Sequence, residues 1–411
     1  MGCVFSIENR LEFPMIAGLE YGVCVTLGSL LVIATAPLLI ELFLTTLAAM
    51  TRESGRLSQT PVLPSLGRLI ILVPSHNEEL AIGRCVESLA VSAGGTEDIL
   101  VIAHNCADST ADRARAAGAM VSVLDNPELR GKGNALEHGF RIAFQELGAD
   151  AALVVDADST VSANLVECVR SRLQRSLVLQ CWYECGSVSN NPNSRLRALA
   201  FFCMNVIRPM GRQQLHLSSG IFGNGFALRR EVIERVPYAA HSIVEDLEFH
   251  LFLLAAGIHC DFVEEARVWA EVPAEGRGAT TQSARWEGGR LRMLRCHGPS
   301  FLLQVLRGRL TLLEPLLDLA GLPVAIEVVC LLLLLLIPIH VLRLYALSGI
   351  AVLALHLLFA IYSGSDPLAD LRALVQAPMY VATKVAMLPA ILRMTRSSAA
   401  WVRTSRASAP K

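Results

Sequence analysis

Two aspartates separated by one alanine, Asp156-Ala157-Asp158, follow directly on the apolar run Ala152-Leu153-Val154-Val155. Such a short, β-branched run reads as a buried strand, and open α/β sheets bind ligands at the carboxyl ends of their strands. Carboxylates this close repel unless a cation lies between them. Hard oxygen donors suit Mg²⁺ or Mn²⁺, which commonly join protein carboxylates to substrate phosphates. With Ser159 and Thr160 after them, the same residues also suit the start of a helix. Their company in the chain decides between the two.

Other polar stretches fall at comparable places. Pro74-Ser75-His76-Asn77-Glu78-Glu79 follows one apolar run, and His104-Asn105-Cys106-Ala107-Asp108 follows the next. Gly131-Lys132-Gly133 opens a helical pattern, where backbone N–H groups attract phosphate. Glu245-Asp246 opens a later one, and Gln282-Ser283-Ala284-Arg285-Trp286 comes last. Glu245 and Asp246 equally suit a helix N-terminus through its dipole, and Trp286 equally suits a membrane interface. Gly223-Asn224-Gly225 lacks the third glycine and the context of a dinucleotide loop, and reads as a turn.

The frame that must position these residues alternates strand with helix. Apolar runs at 69–73, 99–103, 120–124 and 152–155 are separated by helical patterns at 79–93, 109–117 and 134–147. This predicts an α/β domain over 66–300, a mainly parallel, Rossmann-like sheet with helices on both faces. Its polar strand-end loops then share one edge and form one pocket.

The chain has 411 residues, 53% of them hydrophobic, with a mean hydropathy of +0.46, too apolar for an ordinary soluble protein. Its net charge of −1 gives no reason to expect nucleic acid. Eleven cysteines without C-x-x-C spacing suit a reducing compartment rather than zinc or disulfides. Residues 21–40 carry no charge and are long enough to span a bilayer within an N-terminal segment 1–50. Met1–Ser6 fits the M-G-x-x-x-S acylation pattern, but a six-residue match ahead of a span carries little. Two more spans are expected at 319–342 and 344–365, within 311–365, joined by a turn near Arg343. Residues 371–392 hold Arg372 and Lys384 mid-segment, which suits a helix lying in the interface before a basic tail to 411. Arginine excess after the first span and in the tail places the α/β domain on the cytoplasmic side, and the membrane expected is a bacterial inner membrane. Glu327 and His356 would lie inside the membrane, yet three spans carrying so large a polar insert argue against a transporter.

Taken together, P-x-x-N-E, D-x-D, E-D and Q-x-x-R-W in this order resemble family 2 glycosyltransferases of the GT-A fold, in the membrane branch related to cellulose synthases. The resemblance extends over the flanking spans and the Trp401-Val-Arg-Thr-Ser-Arg406 tail. It implies transfer of a sugar, with inversion, from a nucleotide-sugar donor, a UDP-sugar, to a lipid-linked or glycan acceptor at the membrane, for cell-surface glycan synthesis. Glu78 and Asp108 would touch the nucleoside. Asp156 and Asp158 would hold a divalent cation, Mg²⁺ or Mn²⁺, and Asp156 and Lys132 would face the donor. Asp246 would be the catalytic base, and Glu245, Gln282, Arg285 and Trp286 would line the acceptor and diphosphate side. His104 stands where many relatives carry an aspartate. The alternative is a processive polysaccharide synthase, but three spans are few for a polymer tunnel and no F-x-V-T-x-K segment lies between the C-terminal spans.

Overall fold

The structure, a computed structural model, describes residues 9–52, 63–185, 191–270 and 277–395, with side chains from 21 onward in the first stretch and from 280 onward in the last. The acylation pattern at Met1–Ser6 and the Trp401–Arg406 tail lie outside them.

A long helix α1 (Asn9–Met50) comes first. The expected alternation follows: β1 (Leu69–Ser75), α2 (Ile82–Ala93), β2 (Ile99–His104), α3 (Thr110–Ala116), β3 (Met120–Leu124), α4 (Lys132–Arg141) and β4 (Ala151–Val154). The order continues with β5 (Ser159–Val161), α5 (Leu165–Arg172), β6 (Val178–Cys185), α6 (Pro192–Phe202) and α7 (Arg208–Gln214). Then come β7 (Phe226–Arg229), α8 (Arg230–Arg235), α9 (Glu245–Ala255) and β8 (Cys260–Ala270). The eight strands form one sheet in the order β3-β2-β1-β4-β7-β6-β8-β5. From β3 to β4 every pairing is parallel, β7 runs antiparallel to both its neighbours, and β6 and β8 are again parallel.

Alternation along β1 sets the two layers. Leu69, Ile71 and Val73 pack with Val86 and Leu89 of α2 and Leu165 and Val169 of α5. Ile70 and Leu72 face the other way, onto Leu136 and Phe140 of α4 and Phe249 and Leu253 of α9. Period-two side chains on a strand covered on both faces produce this sandwich. As a result β1, β2 and β4 end side by side on one edge, where the polar loops emerge.

Beyond the sheet lie α10 (Arg277–Leu306), α11 (Leu313–Ala320), α12 (Val324–Leu336), α13 (His340–Ser363), α14 (Pro367–Ala373), α15 (Ala377–Ala386) and α16 (Leu388–Met394). Among the described residues two helices are long and apolar enough to cross a membrane, Tyr21–Met50 of α1 and α13, or up to four if each bent pair counts as one. The span expected at 319–342 is not one continuous helix. The chain bends by 81° between Leu310–Ala320 and Val324–Leu336. Pro323, lacking an N–H, cannot continue the helix beyond Gly321, and Pro338 separates α12 from α13. α12, with 13 residues, rises only about 20 Å against about 30 Å of hydrocarbon. The turn therefore falls at 337–339, and Arg343 lies inside α13 with its Nε on the Ile337 carbonyl, 2.9 Å away. The apolar stretch 371–392 is likewise divided, and Lys384 reaches Ser283 Oγ of α10 at 2.9 Å rather than water.

The sheet domain is joined to α1 through α7. Leu38, Leu42, Thr45, Thr46 and Ala49, at helical spacing, form the buried face of α1. A Cβ added to Gly211 would stand 2.0 Å from the Thr45 carbonyl oxygen, so only glycine permits this crossing. Gly211→Val should separate α7 from α1 and destabilise the protein by about 1–3 kcal/mol or more, as overpacking does. Gly83, in α2, has open space around its Cα, and Gly83→Ala should be neutral or slightly stabilising. Thermal unfolding in detergent checks both; equal melting temperatures for Gly211→Val and wild type would show that the crossing relaxes freely.

Candidate active site

Lys132 is placed by its two glycine neighbours. Gly131 caps α4, and at Gly133 a Cβ would lie 2.1 Å from the Ala240 carbonyl oxygen, so the start of α4 rests against that backbone. The lysine ammonium donates to Asp156 Oδ1 and to the Gly223 carbonyl. Gly223 has φ of 76°, and a Cβ there would stand 3.0 Å from Asp246 Oδ2 and 3.4 Å from Lys132 Nζ. One turn of backbone thus lies among Asp156, Lys132 and Asp246, which come from three separate elements.

The turn is itself fixed to the sheet. Gly225 N–H donates to the Val154 carbonyl at 2.9 Å and Asp156 N–H to Asn224 Oδ1 at 3.0 Å. Asn224 Nδ2 donates to Ser159 Oγ at 2.8 Å. Gln180 of β6 holds it from below, donating to the Asn224 carbonyl at 2.8 Å and accepting from Phe222 N–H at 3.0 Å. Sequence reading treats 223–225 as a mere turn and passes over Asn224 and Gln180, both fully buried. A polar amide in the middle of the apolar run Val178-Leu179-Gln180-Cys181 was the available signal.

Charge is concentrated here. Burial would lower the Lys132 pKa, but Asp156, Glu245 and Asp246 outweigh it and raise the pKa above its ordinary value. Glu245 is pushed from 4.5 up to about 7, by burial first and then by Asp246, with Lys132 and Arg285 opposing. Asp246 is raised by burial, against the N–H of Leu247, which donates to its Oδ1 at 2.8 Å.

α10 reaches this group because Gly289 lets it cross the start of α9, where a Cβ would stand 2.4 Å from Val244 Cγ1. That brings Arg285 into electrostatic range of Glu245 and Asp246. Gln282 Oε1 and Arg285 Nε are buried without a hydrogen-bond partner among the described residues. Trp286 is 39% exposed and ends a row of rings: Tyr183 meets Phe201 edge-on at 4.9 Å, and Phe201 lies 6.1 Å from Trp286. Tyr183 begins that row close enough to Asp156 and Asp158 for both to raise its pKa, after burial.

Glu78 and Asp108 sit with each other at the ends of β1 and β2. Asp108 accepts from Thr110 N–H at 3.0 Å, from Thr110 Oγ1 and from Glu79 N–H at 3.2 Å, while Glu78 N–H donates to Thr110 Oγ1 at 2.7 Å. His104 is buried, its Nε2 on the Leu129 carbonyl, so it holds the 126–130 loop in place.

The profile of the glycosyltransferase like family 2 matches residues 67–289, which contain every one of these groups. The chain belongs to this family.

Among curated relatives, the glycosyltransferase is 25% identical over 240 residues to a probable glycosyltransferase of Bacillus subtilis, YdaM, covering 55% of this chain and 56% of that one. It thus spans little more than half the length of that relative. It is 32% identical over 121 residues to protein RfbJ of Shigella flexneri, covering 29% of this chain and 88% of that one. Among solved structures it resembles the mannosyltransferase PcManGT from Pyrobaculum calidifontis in complex with GDP-Man and Mn²⁺. That match has a TM-score of 0.52 and 16% identity, and covers 91% of this chain and 97% of that one. The shared fold is the GT-A arrangement.

The residues of the glycosyltransferase fit a divalent cation. Asp156 and Asp158 both raise the pKa values of the buried Cys85 thiol and of Tyr183, after burial, so both carboxylates lie near these two side chains. No group of three or more His, Cys, Asp and Glu converges among the described residues. Two carboxylates with the remaining positions left to phosphate and water is a normal Mg²⁺ arrangement.

The raised Glu245 carries a stability signature. Its folded-state pKa lies above its unfolded one, so the folded state binds more protons between pH 4.5 and about 7, and stability falls as pH rises through that window. Glu245→Gln should remove this penalty. Its melting temperature relative to wild type should rise between pH 5 and pH 8, and a constant difference would show that Glu245 titrates normally.

Proposed function

We propose that this family 2 glycosyltransferase is membrane-bound and transfers a sugar from a nucleotide-sugar donor to a membrane-held, lipid-linked acceptor by direct displacement, inverting the anomeric carbon. The observation that carries the reading is the joint of Lys132, Asp156, Gly223 and Asp246, which holds a donor-type carboxylate and a base-type carboxylate on one turn. Asp156 and Asp158 hold the cation, which when bound supplies charge stabilisation to the departing diphosphate. Arg285 and Gln282 present buried polar atoms that still lack partners, suited to diphosphate and acceptor hydroxyl. Asp246, its pKa raised by burial, accepts the acceptor hydroxyl proton. Glu78 and Asp108 hold the loops that receive the nucleoside, and Trp286 offers a ring face to a sugar.

The membrane reading rests on α1 and α13, which are long and apolar enough to span. It also rests on the end of α10, where Leu302, Leu303 and Leu306 are exposed in a band carrying Arg290, Arg292, Arg295, Arg307 and Arg309. Such a band attracts anionic head groups, including a lipid-linked pyrophosphate. With the catalytic domain on the cytoplasmic side, the donor comes from the cytosolic nucleotide-sugar pool. The acceptor type and the membrane-branch assignment follow from these features and the motif order.

Purified protein in liposomes, offered labelled UDP- and GDP-sugars with extracted lipid, tests the function. Transfer to lipid is expected, and its absence with every donor would overturn the reading. Asp246→Asn should lose about 10²–10⁴-fold in transfer while still binding donor; near wild-type turnover would remove Asp246 as base. Chelation with EDTA should abolish transfer and Mn²⁺ or Mg²⁺ should restore it, with Asp158→Ala weakening donor binding. Full activity in chelator would dismiss the cation.

A further inference from the structure

We infer that the Lys132 ammonium is a built-in competitor of the divalent cation, a charge that occupies Asp156 until a diphosphate draws it away. The inference rests on the proposed cation role of Asp156 and Asp158. Lys132 Nζ donates to Asp156 Oδ1, the carboxylate a cation would need, and to the Gly223 carbonyl, which fixes it there. The ammonium is only about a fifth exposed, so solvent screens it weakly. Glu245 and Asp246 also attract it, and Asp246 Oδ2 and Lys132 Nζ lie 3.0 and 3.4 Å from where a Cβ on Gly223 would stand. Two cations cannot share Asp156 at that distance without strong repulsion in so buried a place.

Residue choice supports this. Apart from Lys132 itself, Lys384 and Lys411, every fixed cation of the chain is arginine. A guanidinium would lock onto the carboxylate through two parallel bonds, whereas an ammonium on a flexible stem moves between acceptors. Diphosphate oxygens entering beside Asp156 offer Lys132 new acceptors and free the carboxylate for the cation. Cation and diphosphate therefore bind synergistically, each raising the affinity of the other by the same factor. The cation alone binds weakly, which keeps the site from being filled by metal without donor.

The test is Mn²⁺ binding to the purified full-length protein in detergent, with no nucleotide present, followed by the electron paramagnetic resonance signal of free Mn²⁺. K132M should bind Mn²⁺ about tenfold or more tightly than wild type, equal to about 1.4 kcal/mol, and K132R, whose guanidinium holds Asp156 at least as firmly, should bind it no more tightly than wild type. K132Q, which keeps a hydrogen bond to Gly223 without the charge, is read in the same way if K132M does not fold. Unchanged or weaker Mn²⁺ binding by a folded, uncharged variant overturns the competition while leaving the cation site standing. Mn²⁺ binding that D158A does not diminish overturns the cation site itself, and the competition with it.

Discussion

The turn Gly223-Asn224-Gly225 is the point on which the site depends. Three strands and two helices meet there: β4 through Val154 and Asp156, β6 through Gln180, and β7, which the turn leads into. α4 arrives through Lys132 and α9 through Asp246. The Asn224 side chain satisfies the Asp156 N–H while its own amide is held by Ser159. Buried amides left without partners cost about 1–3 kcal/mol each, so this set of bonds admits few alternative arrangements. The antiparallel entry of β7 beside β4 is what brings the turn to the same sheet edge as D-x-D.

A second constraint ties the site to the apolar helices. Glu41 of α1 accepts from Nε of both Arg208 and Arg212 at 3.1 Å, and the two arginines also pair with Asp318 and Glu314 of α11. Glu41, Arg208 and Arg212 are buried at the junction of α1, α7 and α11, and Glu314 and Asp318 are partly buried beside them. Removing one member of such a network leaves a buried charge, at about 3–5 kcal/mol, so its charges act as a set. Together with the Gly211 crossing it gives α1 and α7 one packing arrangement. The sheet domain is thereby held at a fixed attitude to the apolar helix.

Much of this was legible in the sequence. The first four strands begin within one residue of their expected positions, because β-branched apolar runs buried on both faces carry an unambiguous signal. P-x-x-N-E, the His104–Asp108 loop and D-x-D close the parallel strands β1, β2 and β4 on one edge, whereas Gly131-Lys132-Gly133 and E-D open α4 and α9 and Q-x-x-R-W lies inside α10. What was not legible arises from contacts distant in sequence. Gln180 and Asn224 matter through hydrogen bonds to each other's loops, and neither belongs to a local pattern. The bend within the span expected at 319–342 was not legible because hydropathy counts apolar residues and passes over Pro323 and Pro338. Those two prolines turn one apolar run into a bent pair followed by a fresh helix.

α10 joins the two constraints. Its first half presents Gln282, Arg285 and Trp286 beside Glu245 and Asp246, and its middle packs Met293 and Phe301 against Leu251, Leu254 and Leu319. Arg290 donates to the Asp318 carbonyl at 3.2 Å, so the same helix touches the buried ion network. α16 closes it from outside, where a Cβ at Gly288 would stand 2.6 Å from the Ile391 carbonyl oxygen. A helix held at these three places cannot shift at its membrane end without moving Arg285 against Asp246. The distance between Arg285 and Asp246 is therefore set by how α10 lies against the apolar helices, which couples the proposed site to the packing of those helices.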